Sequence, residues 1–228
     1  MRFKNKKLII FDFDGTLIDS GPDLAEAVNH MLKELGRTTF SLNTIHEWVG
    51  NGAQTLVKRA LSAKTEIDSD IDESLFTKAL DIFLSYYKEN VCVKTVTYPD
   101  VTSTLKTLKG DDYKLAIVTN KPFDFVKPIL QKLELIDLFE VYIGGDSLAK
   151  KKPDPMPLNH ICETLNININ DSIMVGDSKN DILAAASCEM DSIGVSYGYN
   201  YGEDIAIYNP TLVIHDFKDM LTVMGNDR

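Results

Sequence analysis

Four groups of residues in this 228-residue chain have the types and spacing to do chemistry together. Asp12 and Asp14 stand one residue apart at the end of the apolar run Leu8-Ile9-Ile10-Phe11, and Gly15, Thr16 and Leu17 follow. Thr119-Asn120-Lys121-Pro122 comes after Ile117-Val118, Lys152 ends a run of three lysines before Pro153, and Asp177 and Asp181 follow the apolar stretch that ends at Val175. Carboxylates are hard oxygen donors, which suit Mg²⁺ with some of its waters kept rather than zinc or copper. Thr119 and Asn120 are short donors and Lys152 is a compact positive charge, so together they form a cradle for phosphate oxygens. A carboxylate facing a phosphate dianion at ~4 Å and effective dielectric ~20 is repelled by about 8 kcal/mol, whereas a divalent cation at that range attracts the dianion by about 16. A cation and a lysine are therefore both needed before an aspartate can attack phosphorus. Taken singly, Asp and Gly after an apolar run are also ordinary turn chemistry.

The elements that must position these groups are strands. The run 8–11 is short, rich in Ile and Phe and closed by Gly15, which fits a buried strand of a parallel sheet. Further strands are expected at 115–119, 141–143, 172–175, 192–195 and 212–214, with helices between them at 101–109, 123–133, 157–165, 181–188 and 217–224. Such alternation predicts a doubly wound parallel sheet with helices on both faces, whose ligands bind beyond the carboxyl ends of the strands. Every candidate group above follows such a strand. From 19 to about 92 only helical spacing appears: a helix from about Pro22 to Leu35 stopped by Gly36 and capped by Asp19 or Ser20, then 43–49, 53–61 and 74–89. The stretch 18–96 is accordingly expected to be an all-helical insertion, leaving 1–17 and 97–228 as the sheet-bearing core.

A formal net charge of -10 without a basic stripe argues against nucleic acid and anionic membrane as partners. No stretch approaches ~20 apolar residues, and the basic N-terminus has too short an apolar run for a signal peptide, so a cytoplasmic protein is expected. Cys92, Cys162 and Cys188 are widely spaced and read as free buried thiols, and His30, His46, His160 and His215 lack metal-ligand spacing. There is no Gly-x-Ser-x-Gly elbow, Gly-Lys-Ser/Thr loop or Gly-x-Gly-x-x-Gly turn.

Asp12-Phe13-Asp14-Gly15-Thr16, Thr119, Lys152 and Gly176-Asp177-Ser178-Lys179-Asn180-Asp181 resemble, in order, the four motifs of the haloacid dehalogenase superfamily of phosphatases and mutases. The resemblance implies a Rossmann-like core with an inserted cap that closes over a small phosphorylated metabolite. It further implies that Asp12 forms a phosphoaspartate and that Asp14 is general acid and then base. Asp12, the main-chain carbonyl of Asp14, and Asp177 would hold Mg²⁺ with Asp181 beside them. Thr119, Asn120, Lys152, Gly15 and Thr16 would bind the phosphoryl group, and Lys152 would also hold Asp12. An acid at position 14 argues for phosphate esters, because the dehalogenases lack it. Wider segments, among them Val49-Gly50-Asn51-Gly52-Ala53 and Tyr197-Gly198-Tyr199-Asn200-Tyr201-Gly202-Glu203, are similar to the bacterial phosphoglycolate phosphatases, which implies hydrolysis of 2-phosphoglycolate. Another small ester, a pyrophosphatase or phosphosugar mutase activity, and a non-catalytic phosphometabolite-binding role are the alternatives. Glu189 departs from the glycine usual after the fourth motif and is expected to strain a left-handed position by roughly 1 kcal/mol or less.

Choice of substrate must come from the insertion. The Gly50-Asn51-Gly52 turn could offer main-chain N–H groups to an anion or simply join two helices. Arg59 or Lys58 could add charge for a substrate carboxylate, and the 197–201 loop either lines the entrance or packs on the core. Lys150 and Lys151 read as solvent-facing neighbours of Lys152.

Overall fold

The computed structural model describes residue 3 and residues 5–225. Residues 1, 2 and 4 of the basic N-terminus and residues 226–228 of the expected core lie outside the described residues. In chain order the elements are β1 (Leu8–Phe11), β2 (Ile18–Asp19), α1 (Gly21–Glu34), α2 (Leu42–His46), α3 (Ala53–Ser62), α4 (Glu73–Glu89), β3 (Val96–Thr97) and α5 (Val101–Gly110). They continue as β4 (Lys114–Val118), α6 (Phe123–Lys132), β5 (Val141–Ile143), α7 (Met156–Leu165), β6 (Ser172–Gly176), α8 (Lys179–Ser187), β7 (Asp191–Val195), β8 (Leu212–Ile214) and α9 (Asp219–Met224).

Six strands form one parallel sheet in the order β5-β4-β1-β6-β7-β8, so the chain's first strand lies in the interior between β4 and β6. Alternation along each strand sends side chains to opposite faces. Ile9, Phe11, Ile117 and Val175 enter one core with Leu105, Ile129 and Met220, whereas Leu8, Ile10, Ala116 and Met174 enter another with Leu158, Ile161 and Ala184. Helices thus cover both faces, which is why β1 is apolar at every position and fully buried.

The helical stretch has a third core of its own, built on Leu24, Val28, Met31, Trp48, Val57 and Phe83. From the sheet-bearing part, Phe125 of α6 is buried in it and Tyr199 packs against it. The two connections to this stretch run side by side as the antiparallel pair Ile18↔Thr97 and Asp19↔Val96. That pair was not expected, because two residues are too few to show a strand's alternation. The other corrections are local. Ser20 occupies the N-cap of α1 without a side-chain cap bond, and Asp19 Oδ1 accepts from Gly21 N–H at 3.2 Å and from the Tyr199 hydroxyl at 2.8 Å. Helix α2 ends at His46 rather than 49, and α8 begins at Lys179. Glu189 does adopt a left-handed backbone, with φ 58°. Among the described residues no helix is long and apolar enough to cross a membrane, and the three cysteines are free.

Candidate active site

The end of β1 sets the geometry. Asp12 N–H still pairs with Val175 O at 2.9 Å, but Phe13 O then accepts from both Leu17 and Ile18 N–H, curling the chain into a turn. Gly15 sits in it at φ 87°, and a Cβ there would overlap the Asp177 carboxylate, so glycine is required by conformation and by space. The turn makes the two acids diverge. Asp12 faces Asp177 and Asp181, and carboxylate oxygens of these three buried residues lie within 4.8 Å of one another. Asp14 points instead to Lys121, whose Nζ is 3.0 and 3.2 Å from its oxygens, and accepts the Ser20 hydroxyl at 2.5 Å.

Each member of the acid cluster is held by groups from a different strand end. Lys152, 1% exposed, places Nζ 3.0 Å from Asp12 Oδ1 and 2.6 Å from Asp181 Oδ1. Thr16 Oγ1 donates to Asp177 Oδ1 at 2.9 Å, and Tyr199 N–H donates to Asp177 Oδ2 at 2.8 Å. Asp181 Oδ2 accepts from Ser178 N–H and Oγ, closing the capping box of α8. Burial, and then the neighbouring Asp181, push the Asp12 carboxyl well above the usual carboxylate range and Asp177 up to about 7. Burial opposes the charge of Lys152, but Asp12 and Asp181 outweigh it and raise its pKa. Three crowded acids against one lysine leave an excess of negative charge that a hard divalent cation fits.

The cleft also shows where the other expected residues fall. Thr119, buried, accepts Lys121 N–H at 3.1 Å, which leaves its own proton free to donate. Lys121 and Thr119 line, with Asp12, Asp14, Leu56 and Tyr87, a small cavity of about 40 Å³ between the sheet and the helical stretch. Asn120 lines it too; its Nδ2 is occupied, donating to Gly50 O at 3.1 Å and to Lys152 O at 3.0 Å, whereas its buried Oδ1 has no hydrogen-bond partner among the described residues. Gly15 and Thr16 serve Asp177 rather than open space.

Arg59 is not brought to the cavity. Its Nε donates to Thr65 O and its Nη1 to Trp48 O, so the guanidinium closes loops within the helical stretch while stacking on Tyr201. Lys58 lies over the Phe76 ring. Lys151, expected to be merely solvent-facing, donates to Asn51 O at 2.8 Å. The 197–201 loop grips the site: Tyr197 donates to Thr16 O, and a Cβ on Gly198 would overlap Asp177.

Two contributors were given no role in the sequence reading, Lys121 although its segment was singled out and Tyr87 altogether. Lys121 is buried and bridges Asp14 to the Tyr87 hydroxyl of α4 at 2.8 Å. Its position two residues beyond Thr119, at a strand end, was the available signal; for Tyr87, inside a long amphipathic helix, there was none. Burial resists the Lys121 charge, but Asp14 and Tyr87 raise its pKa overall, and burial pushes the Tyr87 phenol up to about 12.

Comparison with known proteins agrees with this geometry. A phosphoglycolate phosphatase of Colwellia psychrerythraea is 50% identical over 97% of this chain and 98% of its own length. One of Psychrobacter arcticus is 51% identical over 95% of each. The crystal structure of a predicted phosphoglycolate phosphatase from Haemophilus somnus 129pt superposes with a TM-score of 0.90 at 40% identity, covering 96% of this chain and 98% of that one. The model of the haloacid dehalogenase-like hydrolases matches residues 9–195, and with the acid cluster, lysine and hydroxyl gathered at the strand ends, the chain belongs to that family.

Proposed function

We propose that the chain hydrolyses phosphate monoesters through a phosphoaspartate at Asp12, with 2-phosphoglycolate as its substrate. The observation that carries it is the convergence of Asp12, Asp177, Asp181, Lys152 and Thr119 from four strand ends. Asp12, Asp177 and the main-chain carbonyl of Asp14 would hold Mg²⁺, with Asp181 beside them; the cation supplies the charge neutralisation that lets one anion approach another. Lys152 holds the Asp12 carboxylate toward the phosphorus, and the Thr119 hydroxyl donates to a phosphoryl oxygen. Asp12 forms the new O–P bond as the ester O–P bond breaks, and Asp14 gives its proton to the departing alkoxide oxygen. Asp14 then takes a proton from water, which attacks phosphorus; the Asp12–phosphorus bond breaks and phosphate leaves. Ser20 and Lys121 fix where Asp14 points during both transfers.

Residues 18–96 act as the cap in this scheme, and 1–17 with 97–228 as the catalytic core. The small cavity, closed on one side by Leu56 and Tyr87, favours a ligand of a few heavy atoms. The names of relatives at 50 and 51% identity over nearly the whole chain favour phosphoglycolate among such ligands. The test is phosphate release across about twenty phosphorylated metabolites, with and without Mg²⁺. Metal-dependent release, greatest on 2-phosphoglycolate and lost in a folded Asp12→Asn variant, is the expected result. Sugar isomerisation with little phosphate release would instead indicate a mutase.

A further inference from the structure

Four core loops converge on one turn of the helical stretch. Asn120, after β4, and Asn180, after β6, each donate Nδ2 to Gly50 O, at 3.1 and 3.2 Å. Lys151, after β5, donates Nζ to Asn51 O at 2.8 Å. Tyr201, after β7, donates its hydroxyl to Asn51 Oδ1 at 2.8 Å and accepts from Asn180 Nδ2 at 2.9 Å. The fit leaves no room for a side chain: Gly50 has φ 117°, and a Cβ there would lie 2.7 Å from the Tyr201 hydroxyl.

These loops are the ones that carry the site. Thr119 precedes Asn120, Lys152 follows Lys151, Asp181 follows Asn180, and the Tyr201 loop supplies the Tyr199 N–H that holds Asp177. The Asn120 amide is shared between Gly50 O and Lys152 O, so one group ties the turn to the main chain of the lysine. Arg59, barred from the cavity, stacks on Tyr201 and so supports the same contact from the other side of the interface.

Resting on the phosphatase reading, we propose that the Gly50-Asn51 turn is a plug whose seating in this four-loop socket aligns the phosphoryl-transfer groups, with Asn51 and Tyr201 as positioning residues. Each bond can be exchanged for one to water, so its net worth is modest and the plug can leave and return. Apolar packing alone would hold the turn without reference to where Lys152 or Asp177 stand; directional bonds to their loops do not.

Tyr201→Phe and Asn51→Ala, singly and together in the full chain, test this. Each is expected to raise KM for 2-phosphoglycolate about three- to tenfold, the range of one net hydrogen bond, because bound substrate must complete the seating. The rate at saturation should stay within about twofold, and the double variant should be no worse than about Tyr201→Phe alone, since both singles remove the Tyr201–Asn51 bond and Tyr201→Phe also removes the one from Asn180. Amide hydrogen exchange at residues 50–53 should quicken by a similar factor while Tm holds. Unchanged exchange, unchanged KM, or a loss confined to kcat with a lowered Tm would overturn the plug. If the wild-type chain releases no phosphate from any ester, the functional reading fails, and the exchange measurement still decides whether the turn seats through these residues.

Discussion

Lys121 holds its ammonium between Asp14 and the Tyr87 hydroxyl with only 2% of its side chain exposed. Removing a partner from a buried ion pair leaves an uncompensated charge, which costs about 3–5 kcal/mol. Lys121→Met is therefore expected to lower the urea midpoint in line with a loss of about 3 kcal/mol and to cut phosphate release about a hundredfold or more, because Asp14 loses its orientation. Tyr87→Phe, which leaves the charges paired, should cost about 1 kcal/mol. Equal stability for Lys121→Met and wild type would show that the pair is solvated. The contrast with Lys152 shows what the sequence can carry at this scale. Lys152, Thr119 and Asp177 each follow a strand, so their convergence was legible from alternation alone. The Lys121 partners lie 107 and 34 residues away, and a side chain's choice of partner across such distances leaves no local trace. Arg59 failed in the opposite sense: its charge was legible, but two carbonyls and an aromatic ring had already claimed it.

At the scale of elements, helix α8 gathers two opposed features. Its start is fixed by Ser178 and Asp181, the same Asp181 that faces Lys152, so the capping box also orients a member of the acid cluster. Just past its end, Glu189 holds a left-handed backbone that glycine adopts without penalty. Glu189→Gly should stabilise the chain by up to about 1 kcal/mol, a rise of about 2–4 °C in Tm, with kcat and KM unchanged. A lowered Tm would mean that the Glu189 side chain makes a compensating contact. Elements long enough to show a period were legible to within one or two residues, except that α2 stops at His46. The pair β2 and β3 was not, since its four residues are defined by partnership and not by pattern.

Over the whole molecule, the acid cluster links stability to pH and metal. The Asp177 carboxyl, at about 7 in the folded chain against 3.8 for a free aspartate side chain, binds its proton more tightly when folded. Its contribution to stability is present below 3.8 and is lost as pH rises toward and through about 7. A Mg²⁺ ion held there, as proposed, would replace the missing positive charge only where the acids are ionised, so it should raise Tm by several degrees at pH 7.5 and by much less at pH 5. Equal shifts at both pH values would place the cation elsewhere. Composition marks off a helical stretch from a sheet-bearing part, but it carries nothing of how the two meet. Phe125 shows why that matters: it grows from α6 yet is 7% exposed inside the core of the helical stretch. Any swing of that stretch away from the sheet wets an aromatic ring, at about 1.5–3 kcal/mol, which would limit a gaping form to roughly one molecule in ten to one in two hundred. Traffic of ester and phosphate through the cleft would then depend on brief, rare gaps, and whatever sticks to naked aromatic rings would find this protein only during them.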